Sequence, residues 1–461
     1  MKTILLLVVA ASLGFGQAKL PPYTRETLPN GAGVAMMARK GVPLVHFRVL
    51  IKGGVESDPP QMAGLTSVTA SLLRRGTARR TAEQFAEELD FLGGAFTAGA
   101  LDGQLGSATA ISAEFLQKDF DRGLDLLADA VLNPAFTENE VRKELSRRVD
   151  AAKAIKDNPQ GAMASYLRPA FFGRQHPYGN PPDEMTFARI QRQNIVDYHK
   201  KIYCGKNTLV VVTGDFDPAA AMRKLATTFG GVPAGTAFEW VAAPASVGRG
   251  GMLLIDKPDA TQTYFQIAQP GIDKKSRDRT TLEIVNTLFG GRFTSMLNDA
   301  LRVNSGLTYG ASAQLQEDRL QGAIVISSYT KTDTTTQAID MALDVLKRLN
   351  EKGITAEQLA SAKAYVKGLY PTGHLETIDQ LATEIGDIEL YGLGRDAVDG
   401  YFSRIDAITL EQANAAIGRY YHHDNLTFVI LGAADKIRES VKKYHPQTTE
   451  VSIKDAGWGG Y

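Results

Sequence analysis

The sequence predicts an α+β chain, an α/β sandwich of two homologous modules, each a mostly antiparallel sheet covered by helices. Three observations carry this. First, Tyr203-x-x-x-Asn207-Thr-Leu-Val-Val-Val-Thr-Gly214-x-x-Asp217 recurs as Tyr421-x-x-x-Asn425-Leu-Thr-Phe-Val-Ile-Leu-Gly432-x-x-Asp435, with every matched position 218 residues apart. A self-similarity of that period marks a duplicated folding unit. Second, each copy is a continuous apolar run that ends in glycine and leads into a helical pattern, 218–229 in one and 437–444 in the other. Third, strand pairs precede helical blocks rather than alternating with single helices, which favours antiparallel pairing over a βαβ repeat.

The 461 residues suffice for two or three domains, and 44% hydrophobic content supports ordinary cores. Formal net charge is zero, with 51 basic and 51 acidic residues, which argues against a general nucleic-acid binder. The start, Met1-Lys2-Thr3 followed by ILLLVVAASLGF, is a short basic region and an apolar run too short to span a bilayer. With small residues at Gly16-Gln17-Ala18, it reads as a signal peptide over 1–18, cleaved after Ala18, and places the mature protein in the periplasm or outside the cell. An uncleaved anchor is the other reading. Cys204 is the only cysteine, so no intrachain disulfide forms and a half-buried structural thiol is expected there.

In chain order, Pro29-Asn30-Gly31 and Lys40-Gly41-Val42-Pro43 are turns around strands, with 44–51 alternating in strand fashion. The stretch Ala63–Thr77 places Leu65, Val68, Leu72 and Leu73 at helical spacing after a Gly/Pro-containing turn, and predicts a buried amphipathic helix. A charged helix over 81–92, the glycine pair Gly93-Gly94, and two further strand and helix segments lead to Glu138. His176, in the loop FFGRQHPYGNP, reads as a loop-ordering residue beside proline and glycine. The Ala-, Gly- and Pro-containing stretch before Gly251 divides the chain into a first module (19–236), a linker (237–250) and a second module (251–461). In the second module a helix is expected from about Phe293 to Arg302, stopped by Asn304-Ser305-Gly306, with a strand from about Leu307.

The 63–77 stretch and its surroundings resemble the pitrilysin and insulinase type of zinc peptidases, the inverted zincins, in the two-module form similar to mitochondrial processing peptidase subunits. In that family the helix carries H-x-x-E-H: two histidines on one face bind zinc and the glutamate polarises the attacking water. On this chain the three positions are Ser67, Ala70 and Ser71, which cannot do that chemistry. The resemblance places the third ligand, a glutamate, near Ala151, and leaves Glu144 two turns upstream as an acidic remnant. No metal is therefore expected in this chain.

The segment Arg302-x-x-x-Gly306-Leu307-x-Tyr309 resembles the family's substrate-binding segment, an arginine at a helix end and a tyrosine after Gly-Leu. A guanidinium and a phenol are donors that can hold a peptide carbonyl and stabilise a developing oxyanion. The resemblance thus implies a chain that has lost the metal half of the site and kept Arg302 and Tyr309. The expectation is a non-catalytic, substrate-binding subunit of a heterodimeric zinc endopeptidase, with zinc in an H-x-x-E-H-bearing partner. The alternative is a stand-alone periplasmic peptide-binding clamshell. Ser67 and Ser71 as nucleophiles lack a neighbouring base, adjacent His422-His423 point apart, and no phosphate-binding glycine loop is present. In the family a substrate adds as an edge strand after the position of Gly93-Gly94; Thr97 departs from the asparagine common there.

Overall fold

The computed structural model describes residues 19–101, 106–242, 247–248 and 250–459. The predicted signal segment, 1–18, lies outside the described residues. Among the described residues, no helix is long and apolar enough to cross a membrane.

Two six-stranded mixed sheets form the frame. The first comprises β1 (Thr24–Thr27), β2 (Gly33–Ala38), β3 (Leu44–Lys52), β4 (Ala95–Ala100), β5 (Ala108–Leu116) and β6 (Thr208–Gly214), in the order β1-β2-β6-β3-β5-β4. The second comprises β7 (Gly251–Asp256), β8 (Gln262–Pro270), β9 (Ala311–Gln316), β10 (Ala323–Lys331), β11 (Thr427–Gly432) and β12 (Thr448–Ser452), in the order β12-β7-β11-β8-β10-β9. The duplication extends to register: Gly33 pairs Leu209 in the parallel β2–β6 ladder, and Gly251 pairs Thr427 in β7–β11, each residue 218 positions on. Five strands therefore correspond in order. The sixth differs, because β1 precedes its neighbour and runs antiparallel to it whereas β12 comes from the chain end and runs parallel.

The predicted helix 63–77 is shorter than its periodicity suggested: α1 spans Leu65–Leu72. It is followed by α2 (Ala82–Phe91), capped by a Thr81/Gln84 box, α3 (Phe120–Leu132), α4 (Glu138–Ala154) and α5 (Pro159–Phe172). One face of the first sheet buries Val34, Phe47 and Val49 against Leu65, Val68 and Leu72 of α1. The other face is covered from outside the module, by the helix Ile378–Tyr391, which packs on β3 and β6. The approach is close: a Cβ on Gly386 would sit 2.9 Å from the Leu50 side chain, and Thr213 Oγ1 donates to the Ile378 carbonyl at 2.7 Å. Reciprocally, α5 leaves its own module and lays Met163, Tyr166, Leu167 and Phe171 on the second sheet, against Leu253, Ile255, Val429 and Leu431. The two exchanged helices are themselves duplicates, since 378 minus 159 and 391 minus 172 both give 219. Each buried large apolar side chain is worth roughly 1.5–3 kcal/mol, so neither sheet is complete without the other module's helix.

The chain ends repeat the exchange. Leu20, 1% exposed, donates its N–H to Asp399 at 2.8 Å and is gripped at its carbonyl by Arg395. Trp458 packs edge-on against Tyr166 and donates from Nε1 to the Pro182 carbonyl at 2.8 Å. Between the modules lies a polar weld: Arg319 reaches the fully buried Glu56 carboxylate from Nε (3.0 Å) and Nη2 (2.5 Å). The Ser107 hydroxyl lies 2.7 Å from both Glu56 and Asp318, yet has one proton to give. Burial pushes the Asp318 carboxyl up to about 6, and its Oδ2 has no partner among the described residues.

A pH dependence follows. Asp318 holds its proton to about pH 6 in the fold and to about 4 in the unfolded chain, so between those values the folded state binds more protons and stability falls as pH rises. Asp318→Asn resembles the protonated carboxyl. We expect it to exceed the wild type at pH 7 by up to about 3 kcal/mol, the margin vanishing by pH 4. Urea melts of both chains across that range check this; a margin independent of pH means that Asp318 is not titrating there.

Candidate functional site

The N-cap of α1 is Gly64, which has φ +97° and whose Cβ would meet Phe187 at 2.4 Å, so only glycine fits. Having no side chain to cap with, it relies on Asp58, whose carboxylate accepts from the N–H groups of Gly64 and Thr66, both at 2.8 Å. Leu65, Val68 and Leu72 then face the core, which leaves Ser67 and Ser71 on the half-exposed face. Both hydroxyls are satisfied within the helix: Ser67 donates to the Gly64 carbonyl and Ser71 to the Ser67 carbonyl, each at 2.9 Å. Ala70 is buried. Neither serine is hydrogen-bonded to a base among the described residues, so a serine nucleophile gains no support.

α4 runs alongside and supplies what the sequence reading missed. Arg148, one turn before the exposed Ala151, turns its guanidinium onto α1 and donates to Ser71 Oγ and to the Ser67 carbonyl. Its Nε donates to Glu144 at 2.7 Å, and Arg147 takes the same carboxylate at 2.7 Å. Burial would raise the Glu144 carboxyl, but the two guanidinium groups more than offset this and hold it below its usual range. Glu144 is buried, and its carboxylate is taken up by these two cations.

The residues present do not fit zinc. Two serine hydroxyls and an alanine replace the histidines and glutamate, and a guanidinium with fixed positive charge rests on the side chain at position 71. Among the described residues, no group of three or more His, Cys, Asp or Glu is placed to hold a metal ion.

The second predicted element is built differently from its sequence expectation. The helix begins at Met296, not Phe293, because Ser295 caps it, accepting from the Asn298 N–H. It continues in π-type turns over Asp299–Asn304, so Arg302 lies in its last turn. The strand begins at Ala311, not Leu307. Tyr309 therefore sits in the turn before β9, with its side chain 74% exposed. That turn is pinned from the sheet: Thr330 donates to the Leu307 carbonyl at 2.7 Å, Ser328 to the Gly310 carbonyl at 2.9 Å, and the Leu307 N–H to the Leu301 carbonyl at 2.9 Å. Gly306 makes the reversal at φ +65°.

The structure brings Arg302 and Tyr309 together. The guanidinium carbon lies 4.6 Å from the Tyr309 ring centroid and 4.7 Å from that of Phe293, which is 67% exposed. Sequence reasoning did not single out Phe293; an aromatic before a helix cap carries no signal until the helix end is seen to fold back over it.

The remaining candidates are structural. His176 is buried, packs at a tilt against Phe172 and accepts the Tyr178 N–H at 3.0 Å. Burial, with Arg168 and Arg319, pushes its pKa down to about 4, so it stays neutral. Cys204 is a buried free thiol, and His422 bonds its own helix end at the Arg419 carbonyl. β4, which follows Gly93-Gly94 and carries Thr97, is an edge strand, as is its counterpart β9. The β9 edge is partly covered: Asn286 Nδ2 donates to the Ala313 carbonyl at 2.9 Å and Asn298 accepts the Ala311 N–H at 3.4 Å. No such side-chain cover is present on β4 among the described residues.

Two sheet-and-helix modules, duplicated in strand order and register and each covered in part by a helix of the other, define a two-module α+β class. The chain belongs to the insulinase family, peptidase family M16: the profile described as Insulinase (Peptidase family M16) matches residues 34–181, and that described as Peptidase M16 inactive domain matches residues 189–366. Among its relatives are an uncharacterized zinc protease of Mycobacterium leprae, 26% identical over 85% of this chain and 87% of its own, and the non-peptidase homolog YmxG of Helicobacter pylori, 23% identical over 86% and 90%. A solved peptidase M16 inactive domain from Pseudomonas fluorescens matches with a TM-score of 0.82 at 22% identity, over 89% of this chain and 98% of that one.

Proposed function

We propose that the chain is the non-catalytic, substrate-binding subunit of a heterodimeric zinc metalloendopeptidase that acts on peptides or unfolded proteins. The partner is a homologous subunit with H-x-x-E-H, which holds the zinc; this chain contributes Arg302 and Tyr309. The observation that carries the reading is the split within one chain: a guanidinium rests on the side chain at position 71, while a half-buried Arg302 at a helix end meets an exposed Tyr309 on a pinned turn. The pair would hold a substrate carbonyl and stabilise the oxyanion formed when the partner's water attacks. Export to the periplasm or beyond, with cleavage after Ala18, belongs to the same reading.

The test is purification of the tagged chain from its host, with identification of any stoichiometric companion and assay for zinc and peptide cleavage. In the reconstituted pair, Arg302→Ala with Tyr309→Phe is expected to lower kcat/KM by about 10²-fold or more while leaving the dimer intact, the loss typical of an oxyanion donor. Unchanged turnover would remove the assigned roles. A chain that purifies alone, metal-free and inert but binding peptides, would establish the second reading, a stand-alone periplasmic peptide-binding scaffold that uses the same residues.

A further inference from the structure

Elsewhere in the second module Arg279 pairs with Glu317, Arg319 with Glu56, Arg404 with Asp396 and Arg438 with Glu450, whereas the Arg302 side chain has no carboxylate or carbonyl partner among the described residues. Its two neighbours are aromatic rings, 4.7 Å and 4.6 Å from the guanidinium carbon, on residues that are 67% and 74% exposed. Two large aromatic side chains left that open, around a cation without a counter-ion, are costly to solvate and are not needed by the core.

The geometry has a chemical consequence. Guanidinium donors lie in one plane along the edge of the group, and the two ring contacts provide no carboxylate or carbonyl oxygen to them. A planar acceptor with two oxygens, a carboxylate, matches that edge with two parallel hydrogen bonds, which a single carbonyl oxygen cannot do. The pinning of Leu307 and Gly310 to the sheet holds the backbone on either side of Tyr309 in place before any ligand arrives, so little backbone ordering is required on binding.

Deepening the substrate-binding reading above, on which it rests, we propose that Phe293, Arg302 and Tyr309 form a clamp for a peptide carboxylate: the guanidinium takes the carboxylate and Phe293 is a specificity-determining residue that covers it. The carboxylate can be a free C-terminus or an acidic side chain.

Three versions of one fluorescein-labelled, extended decapeptide distinguish the sources, by anisotropy with the full chain. One has a free C-terminus and no acidic residue, one a C-terminal amide with an internal glutamate, and one a C-terminal amide with no acidic residue. At least one of the first two is expected to bind about tenfold or more tightly than the third. Arg302→Gln should abolish that preference, Arg302→Lys should restore it only in part, and Phe293→Ala should weaken the preferred peptide several-fold without changing the circular dichroism spectrum. If all three peptides bind the wild type equally and Arg302→Gln weakens them equally, Arg302 meets a backbone carbonyl; the clamp is overturned and the subunit reading stands. A preference that survives in Arg302→Gln overturns the clamp as well. If none of the peptides binds, both readings fall.

Discussion

Replacing Ser67→His, Ala70→Glu, Ser71→His and Ala151→Glu together will not give a zinc-binding protein while Arg148 is in place. The guanidinium already donates to the side chain at position 71 and lies across the Ser67 carbonyl, so an imidazole at 71 meets it within the first few ångströms of its path. Electrostatics oppose the ion too: two like unit charges 4 Å apart repel by about 4 kcal/mol at an effective dielectric of 20, and zinc carries two. Adding Arg148→Ala opens the space and removes the charge, and one zinc per chain is then expected after dialysis, read by atomic absorption. Tight, stoichiometric zinc in the fourfold variant with Arg148 present would mean that the guanidinium is not in the ion's way. Positions 67, 70 and 71 thus lack metal ligands and also lie beside a resident cation, Arg148, that is fixed to Glu144.

The second large effect lies at the weld between the modules. Arg319→Met strands the Glu56 carboxylate, fully buried and 2.7 Å from Ser107, next to Asp318. Removing one partner of a buried pair costs about 3–5 kcal/mol, a large share of a domain's net stability, and the midpoint of urea unfolding should fall accordingly. The double variant Arg319→Met, Glu56→Gln should recover most of the loss, because no uncompensated charge remains. Equal losses in the single and double variants would show that the contact of the Arg319 guanidinium with the Trp240 ring, not its pairing with Glu56, is what matters.

The sheets were legible in the sequence because they repeat: the strand at 208–214 and its copy appear at the expected offset, and the organising helix lies within the stretch read from Leu65, Val68 and Leu72. The exchange of α5 and the 378–391 helix was not legible. An amphipathic pattern reports that a face is buried, not which sheet buries it. Arg148 was missed for a related reason: seen only as one of a basic pair on α4, it looks like a solvated residue, and its turn onto α1 depends on packing between helices. The ends of the Arg302 helix were misplaced because Ser295, a hydroxyl inside an otherwise helical run, is the true cap.

The helix exchange also sets a timetable. The last residue of α5 is 172 and the strands on which it lies are complete only at 432, so 260 further residues must be made before Met163, Tyr166, Leu167 and Phe171 have a surface to cover. At about 5–20 residues per second that is roughly 13–50 s during which the first half of the chain exists without the rest of its core. Vectorial folding, first module and then second, is closed to this architecture. Whatever holds the nascent chain must keep the early half from aggregating until the late half arrives, and a truncation after the linker would leave the synthesised half permanently in that exposed state.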